Sequence, residues 1–575
     1  MTVEHFNNWP NAQGFDGNHE EKEPVELSVT GHIPTYAAGV LYRTGPGRYK
    51  VDTEKGNTFQ VAHWFDGFSQ THRFQLVPSN AEDSESRMRV LYNSRFSTDE
   101  LIEHARTNGS LAGKFCFGGH KSPEERDPCK AIYQKVQTTY KPLEGGPSSK
   151  NTGVTLSVDF PGLSSNKQET TSQPPGPIKT LHTKTDNFSL KEIHPETLEP
   201  ISFCDQTVLH PDLNGRLSAS HAETDPETGD VFNYNLSFGR TATYRVFRVS
   251  AATGDTSVLA SFPGIPSYMH SFFLTKNHVV ICVWNAHISP QDLAKGSYVG
   301  ALKEFDGSLP AKWYVVDRKH GNGLVAIYES PAFFCFHTIN AWEEANSDDS
   351  SKTDIVAECI TYKNIDAIKK LYYEYLPSNS LAAYPGPETK NHGGKTQSQI
   401  TRFRLPGNPR AFSLVTLNAD AAAAAGSSSQ EPTPEPTPPT VPQPKQAVIT
   451  STSCASISPE LPTQNPLYHT APHRYTYAVV DRGYSTFFDG MMKFDSVTSE
   501  IKIWSAHAQS PGEAIFVPDP NRTNEDDGVL LSVVLDGFSG NSYLLVLNAK
   551  SMEEVGRASV KGVVAFGFHG VHVAT

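Results

Sequence analysis

What most constrains this chain is a long succession of short apolar runs, each closed by turn residues. HVVICVWNA (278–286), DVFNYNLSF (230–238), GVLLSVVLDG (528–537) and many like them are rich in Val, Ile, Leu, Tyr and Phe. Between them stand Gly, Asp, Asn and Pro, the punctuation that strands and hairpins require. Phrases such as VSAATGD (249–255) and VVDRKHGNG (315–323) read as strand, polar turn, strand. Sandwich, barrel and propeller all satisfy this pattern, but only radial repetition readily brings distant strands to one axial point. The expected class is therefore all-β. A chain of 575 residues could hold several domains, but all-β units often run large, and one domain over 1–575 is expected.

Composition narrows the function classes. Hydrophobic residues at 37% and aromatic residues at 10% suffice for a core. The net charge of −13, with no Lys/Arg-rich run, gives no reason to expect nucleic acid. Residues 1–24 hold no basic stretch followed by an apolar one, so no secretory signal is expected. No segment approaches the roughly 18 apolar residues of a membrane span. The seven cysteines are scattered with no C-x-x-C and read as reduced thiols. A cytoplasmic protein follows, with peripheral membrane contact left open.

One helix is legible. STDELIEHARTNG (97–109) offers Ser97 as N-cap, Glu100 as its capping-box partner and Gly109 as the stop. It reads as a packed surface helix or as part of a lid. Three stretches read as loops: Glu144–Lys150, Ser164–Pro177 and Asp420–Lys445. The last holds AAAAAGSSSQEPTPEPTPPTVPQPK, whose prolines prevent helix or sheet, so a disordered insertion is expected at 420–445. Chemical motifs lie on both sides of it, which favours an insertion within one domain.

Four histidines stand in distinct phrases: His221 in SASHAETDPETGD, His270 in PSYMHSFFLT, His337 in FFCFHTINAWEE and His569 in AFGFHG. They are separated by 49, 67 and 232 residues, which excludes a local metal finger. Such spacing suits one side chain from each of several structural units meeting at a centre. Four imidazoles without a cysteine fit a redox-active first-row metal such as iron better than structural zinc. The chain has 22 histidines, so composition alone does not select these four.

The phrases do. Together they resemble the four iron-ligand motifs of the carotenoid cleavage oxygenase family, which includes a retinoid isomerase and stilbene-cleaving oxygenases. LYRTGPGRY (41–49), HWFDGF (63–68), ELPTQNPLYHTAPHRYTYAVV (460–480) and PGEAIFVPDP (511–520) extend the likeness from about Val40 to the carboxyl terminus. The resemblance implies a seven-bladed β-propeller holding Fe(II) on its axis through His221, His270, His337 and His569. It implies a helical and loop cap forming a nonpolar tunnel above the metal. It also places Glu460 and Glu513 as carboxylates that orient the histidines. Asp186, in LHTKTDN, stands where many members carry Glu, so an altered or water-mediated contact is expected there. Asn151 and Thr152 resemble a segment whose threonine lies near an open metal position, which assigns Thr152 a role in catalysis.

The activity implied is oxidative cleavage of a polyene double bond, with O2 and a hydrophobic polyene as the reaction partners. HWFDGFSQTHRF, YNSRFSTDELIEHAR and RDPCKAIYQKV resemble the fungal members, above all the torulene-cleaving oxygenases. Stilbene cleavers tend to carry Lys directly before the orienting Glu. Here Thr185 holds that place and Lys184 stands one further back. Stilbene cleavage, retinoid isomerisation and a non-catalytic ligand-binding propeller remain the alternatives. Phe115–Phe117 and Leu371–Tyr384 are candidates for contact with a membrane.

Overall fold

The turn phrases fold back on themselves for a simple reason. In DPETGD the Gly229 N–H donates to the Asp225 carbonyl at 2.8 Å, and in SAATGD the Gly254 N–H donates to the Ser250 carbonyl at 2.8 Å. Both glycines take positive φ, 75° and 77°, a conformation that costs a residue with a Cβ. These two turns join Glu223–Thr224 to Val231–Ser237 and Thr243–Val249 to Thr256–Pro263, making one four-stranded antiparallel sheet. The computed structural model describes residues 8–79, 88–111, 114–119, 145–163, 178–380, 396–409 and 442–574.

Among these residues the same unit recurs. Seven sheets of four to six strands follow one another, with one extra hairpin of Lys50–Asp52 and Thr58–Gln60. The protein is a seven-bladed β-propeller. Because each blade is packed between two others, its strands are buried on both faces and need no polar alternation. His278–Val283 is buried at every position, and Gly528–Asp536 at all but its last. Where blades meet, the fully buried Trp313 packs its ring against Phe403 (4.8 Å between centroids) and Phe273 (5.6 Å).

The ring is closed twice. His569–Ala574 pairs with Gly39–Arg48, placing His569 opposite Thr44. Ser28–Gly31 pairs with Glu554–Ser559 in the neighbouring blade. Residues 410–441, which contain most of the Pro-rich stretch, lie outside the described residues. The strands around them, Ser398–Pro409 and Val448–Ser453, are antiparallel neighbours in one sheet. Lys445 itself begins a short strand, Lys445–Gln446, so it does not belong to a loop.

The helix forms at Asp99–Asn108 and stops at Gly109 with φ 69°, but its start differs from expectation. Thr98 precedes it, with no side-chain cap. The Ser97 hydroxyl bonds that of Ser69 at 2.8 Å. Glu100 instead accepts from the Gly146 N–H (3.0 Å) and the Ser148 hydroxyl (2.7 Å), tying down the following loop. Tertiary partners have taken both members of the capping box. Of the loops, Glu144–Lys150 contains one 3-10 turn, Pro147–Ser149, and 164–177 lies outside the described residues.

Candidate metal centre

Each histidine is delivered by an edge strand of a different blade. His221 stands just ahead of Glu223–Thr224, and His270 just ahead of Phe273–Leu274. His337 lies within Phe334–Ala345, and His569 opens His569–Ala574. Around His337 the pairing with Lys352–Tyr362 shifts register between Cys335 and Thr338, an irregularity of the kind that re-aims a side chain. The three remaining blades supply the carboxylates. Asp186 follows Leu181–Lys184, Glu460 lies in Pro459–Thr463, and Glu513 stands between Gln509–Pro511 and Ile515–Pro518. Every blade thus contributes one member of a seven-residue assembly.

One ring nitrogen from each of His221, His270, His337 and His569 falls within 4.8 Å of all the others. Outward, Nδ1 of His270 meets Asp186 Oδ1 at 2.7 Å, Nδ1 of His337 meets Glu460 Oε2 at 2.5 Å, and Nδ1 of His569 meets Glu513 Oε1 at 2.8 Å. An ionised carboxylate only accepts, so each Nδ1 carries the proton and each Nε2 presents a bare lone pair. Two such lone pairs, on His337 and His569, face each other at 3.3 Å, and His221 Nε2 lies 3.0 Å from His569 Nε2. Bare nitrogens this close repel unless a cation lies between them. The donor set therefore fits a metal.

Burial and the neighbouring imidazoles push His221 and His569 far below the ordinary histidine range, which holds them neutral. Burial raises Glu513, outweighing the pull of Arg43. Burial also works to raise Glu460, but His337 and the bonds from Leu461 and Tyr362 leave it lowered on balance. Among the described residues no carboxylate pairs with His221.

Asp186 reaches His270 directly, contrary to the altered contact expected of the shorter side chain. Its second oxygen accepts from the Tyr268 hydroxyl at 2.9 Å. Each of the other two carboxylates also has a further side-chain donor. Tyr362 donates to Glu460 at 2.8 Å, and Arg43 to Glu513 at 2.6 Å. Sequence reasoning missed Tyr268, Tyr362 and Arg43. Tyr268 and Arg43 lay inside phrases already singled out, but a lone Tyr or Arg on a strand announces no role.

A cavity opens beside His270, His337 and His569, and aromatic rings dominate its wall, among them Trp64, Phe65, Phe117, Phe336, Phe487 and Phe568. The segment Phe115–Phe117, named above as a candidate for membrane contact, lines this cavity, with Phe115 half-buried and Phe117 buried. It is held there by Asp66, which accepts from the N–H groups of Phe117 (2.5 Å) and Gly118 (2.8 Å). Leu371 and Leu376 also face inward, while Tyr375 between them is exposed. Asn151 lines the cavity, but Thr152 does not: it is buried, and its carbonyl accepts from the Thr183 hydroxyl at 2.7 Å. The helix Asp99–Asn108 contributes nothing to the wall and buries Leu101 and Ala105 in a core cluster, so it is a packed helix. A second cavity lies against His221, His337 and His569 and is mainly polar. Thr185 lines the aromatic cavity, whereas Lys184 lines the polar one.

Fold and site together define a class: a seven-bladed propeller in which four imidazoles that could hold a metal converge beside an aromatic cavity. The chain belongs to the family of the retinal pigment epithelial membrane protein, RPE65, which it matches over residues 14–574. It is 38% identical to a carotenoid dioxygenase of Neurospora crassa, over 99% of this chain and 92% of that one. It is 39% identical to a torulene dioxygenase of Gibberella fujikuroi, over 100% and 95%. Among solved structures it superposes on a Glu-to-Asp variant of the Synechocystis apocarotenoid oxygenase with a TM-score of 0.69. That identity is 18%, over 99% of both chains. A cobalt-substituted form of the same oxygenase matches with a TM-score of 0.67.

Proposed function

We propose that the chain is a non-haem Fe(II) dioxygenase that cleaves a carbon–carbon double bond of a carotenoid or apocarotenoid, such as torulene or β-carotene, to aldehydes. The observation that carries this is the convergence of four carboxylate-buttressed or neutral imidazoles beside an aromatic cavity. The names of the fungal relatives support the substrate class. An all-nitrogen donor set suits a first-row metal, and the cobalt-substituted neighbour supports a metal in a protein of this fold. When bound, iron supplies the activation of O2, both of whose atoms end in the two carbonyl fragments.

The chain's own residues do the rest. His221, His270, His337 and His569 hold the metal. Asp186, Glu460 and Glu513 fix three of the rings by accepting their Nδ1 protons and raise the basicity of the bound nitrogens. The aromatic wall excludes water and aligns the polyene, so that wall contacts decide which bond lies over the centre. We read the segments around this wall as the cap and the cavity as a nonpolar tunnel. We assign Thr152 the restriction of approach to the metal. Its neighbour Asn151 lines the aromatic cavity, which supports that role.

The split between Thr185 and Lys184 weighs against a phenolic stilbene, since the lysine of this segment does not line the aromatic cavity. We take residues 1–575 as one domain with 420–445 as an insertion. We further read the protein as cytoplasmic with peripheral membrane contact. Tyr375 and Tyr484, 43% and 52% exposed on segments that line the aromatic cavity, support that contact, and co-flotation with liposomes tests it. The central test is anaerobic Fe(II) loading, then O2 with torulene, β-carotene, a β-apocarotenal or resveratrol in detergent. Paired carbonyl fragments from a polyene, identified by mass, are expected. Fragments from resveratrol alone would move the chain to the stilbene branch, and a protein that takes up no iron would overturn the centre.

A further inference from the structure

The polar cavity has about 490 Å³ of space, room for a small ion and its hydration. Its wall is made by the ends of blade strands, including Thr155, Ser220, Glu223 and Thr338. Lys184 also lines it and is only 5% exposed. Burial pulls this lysine down to about 8, against the raising influence of Glu223, so it remains an ammonium at neutral pH.

A buried ammonium is costly unless something accepts from it. Among the described residues Lys184 Nζ has neither a hydrogen-bond acceptor nor an ion-pair partner. The carboxylates around the cavity are committed elsewhere. Glu223 pairs with His469 at 3.1 Å, and Asp159 Oδ1 accepts from the N–H groups of Lys179 and Thr180, both at 2.9 Å. Glu513 is held by Arg43 and His569. Each carboxylate of the wall is thus held by other groups, and Lys184 is the cation of this wall that has no ion-pair partner among the described residues.

We propose that this cavity is a binding site for a small monovalent anion, of halide to bicarbonate size, with the Lys184 ammonium as its charge. The anion occupies the polar side of the histidine cluster and therefore does not compete with a polyene in the aromatic cavity. Lysine suits the task as a compact point charge that needs no bidentate geometry.

The test soaks crystals of the metal-loaded full chain in sodium bromide and collects anomalous data at the bromine edge. A peak within hydrogen-bonding distance of Lys184 Nζ is expected in the wild type and in K184R, and none there in K184M. In solution, bromide should raise the wild-type Tm saturably over sodium gluconate of equal ionic strength, and this rise should vanish in K184M. A wild-type peak at the histidine cluster but not at Lys184 overturns the proposal. So does a Lys184-side peak of equal height in K184M, or no peak in the cavity at all. None of these outcomes depends on whether the protein cleaves a carotenoid.

Discussion

The two sides of the histidine cluster are built by opposite means. The polar cavity is walled largely by blade strands and their ends, such as Thr155–Val158, Glu223–Thr224 and His569–Ala574. The aromatic cavity is walled largely by segments outside the blade sheets: Trp64–Asp66, Phe115–Phe117, and the residues around Leu371 and Phe487. The first is what seven converging blades impose. The second is added on top of them, and it can change without disturbing the metal centre. In such a design the propeller fixes the chemistry and the connecting segments fix the substrate.

The division can be broken most severely from the centre. His337→Ala removes one nitrogen and leaves the buried Glu460 without its imidazole, so bound iron by elemental analysis and product by mass should both fall to background. Glu460→Gln keeps the shape but weakens the hold on His337. A loss of about 10–100-fold in metal affinity or activity is expected, with unchanged circular dichroism. Phe65→Ala tests the aromatic side alone: its ring packs on Phe117 (4.7 Å), Phe568 (5.2 Å) and Phe336 (5.9 Å). Because Phe65 lines the cavity, losing most of its apolar contact with a bound polyene costs about 1.5 kcal/mol, so KM should rise about tenfold while iron content holds. If iron falls in step with KM, the two sides are not separable.

A further effect lies away from both cavities and leaves the site unchanged. Lys191 is buried, donates to the carbonyls of Ser97 (2.8 Å) and Lys150 (2.5 Å), and is pulled down to about 7 by burial. Between that value and the ordinary lysine range the unfolded chain holds one more proton than the folded one. Stability should therefore rise with pH from about 7 towards 10, by up to about 1.4 kcal/mol per pH unit. Urea midpoints at pH 7 and pH 9 should show this rise, and Lys191→Met should remove it.

Much of the site was legible because each histidine stands among unlike neighbours that mark its place in the chain. The strands were legible for another reason: turns such as AATGD require glycine at a fixed step, and the runs between them are apolar throughout. What could not be read were competitions settled in three dimensions. Ser97 and Glu100 form a sound capping box in sequence, yet Ser69 and the 146–148 loop claim them. Phe115–Phe117 is apolar in sequence, but only the Asp66 carboxylate, more than 45 residues away, shows that it faces inward. Arg43 becomes significant only once ring closure lays its strand beside His569.

That ring closure governs the order in which the centre comes into being during synthesis. The Thr44–His569 pairing joins residues 525 positions apart in the chain, and long-range contacts of this kind form slowly. Until residue 569 has been added, the emerging chain carries at most three of the four imidazoles, and Glu513 lacks its histidine. The first blade must wait, its edge unpaired, for the last strand. The four-imidazole cluster and the closed ring are thus completed together, and a chain that stops before residue 569 has neither.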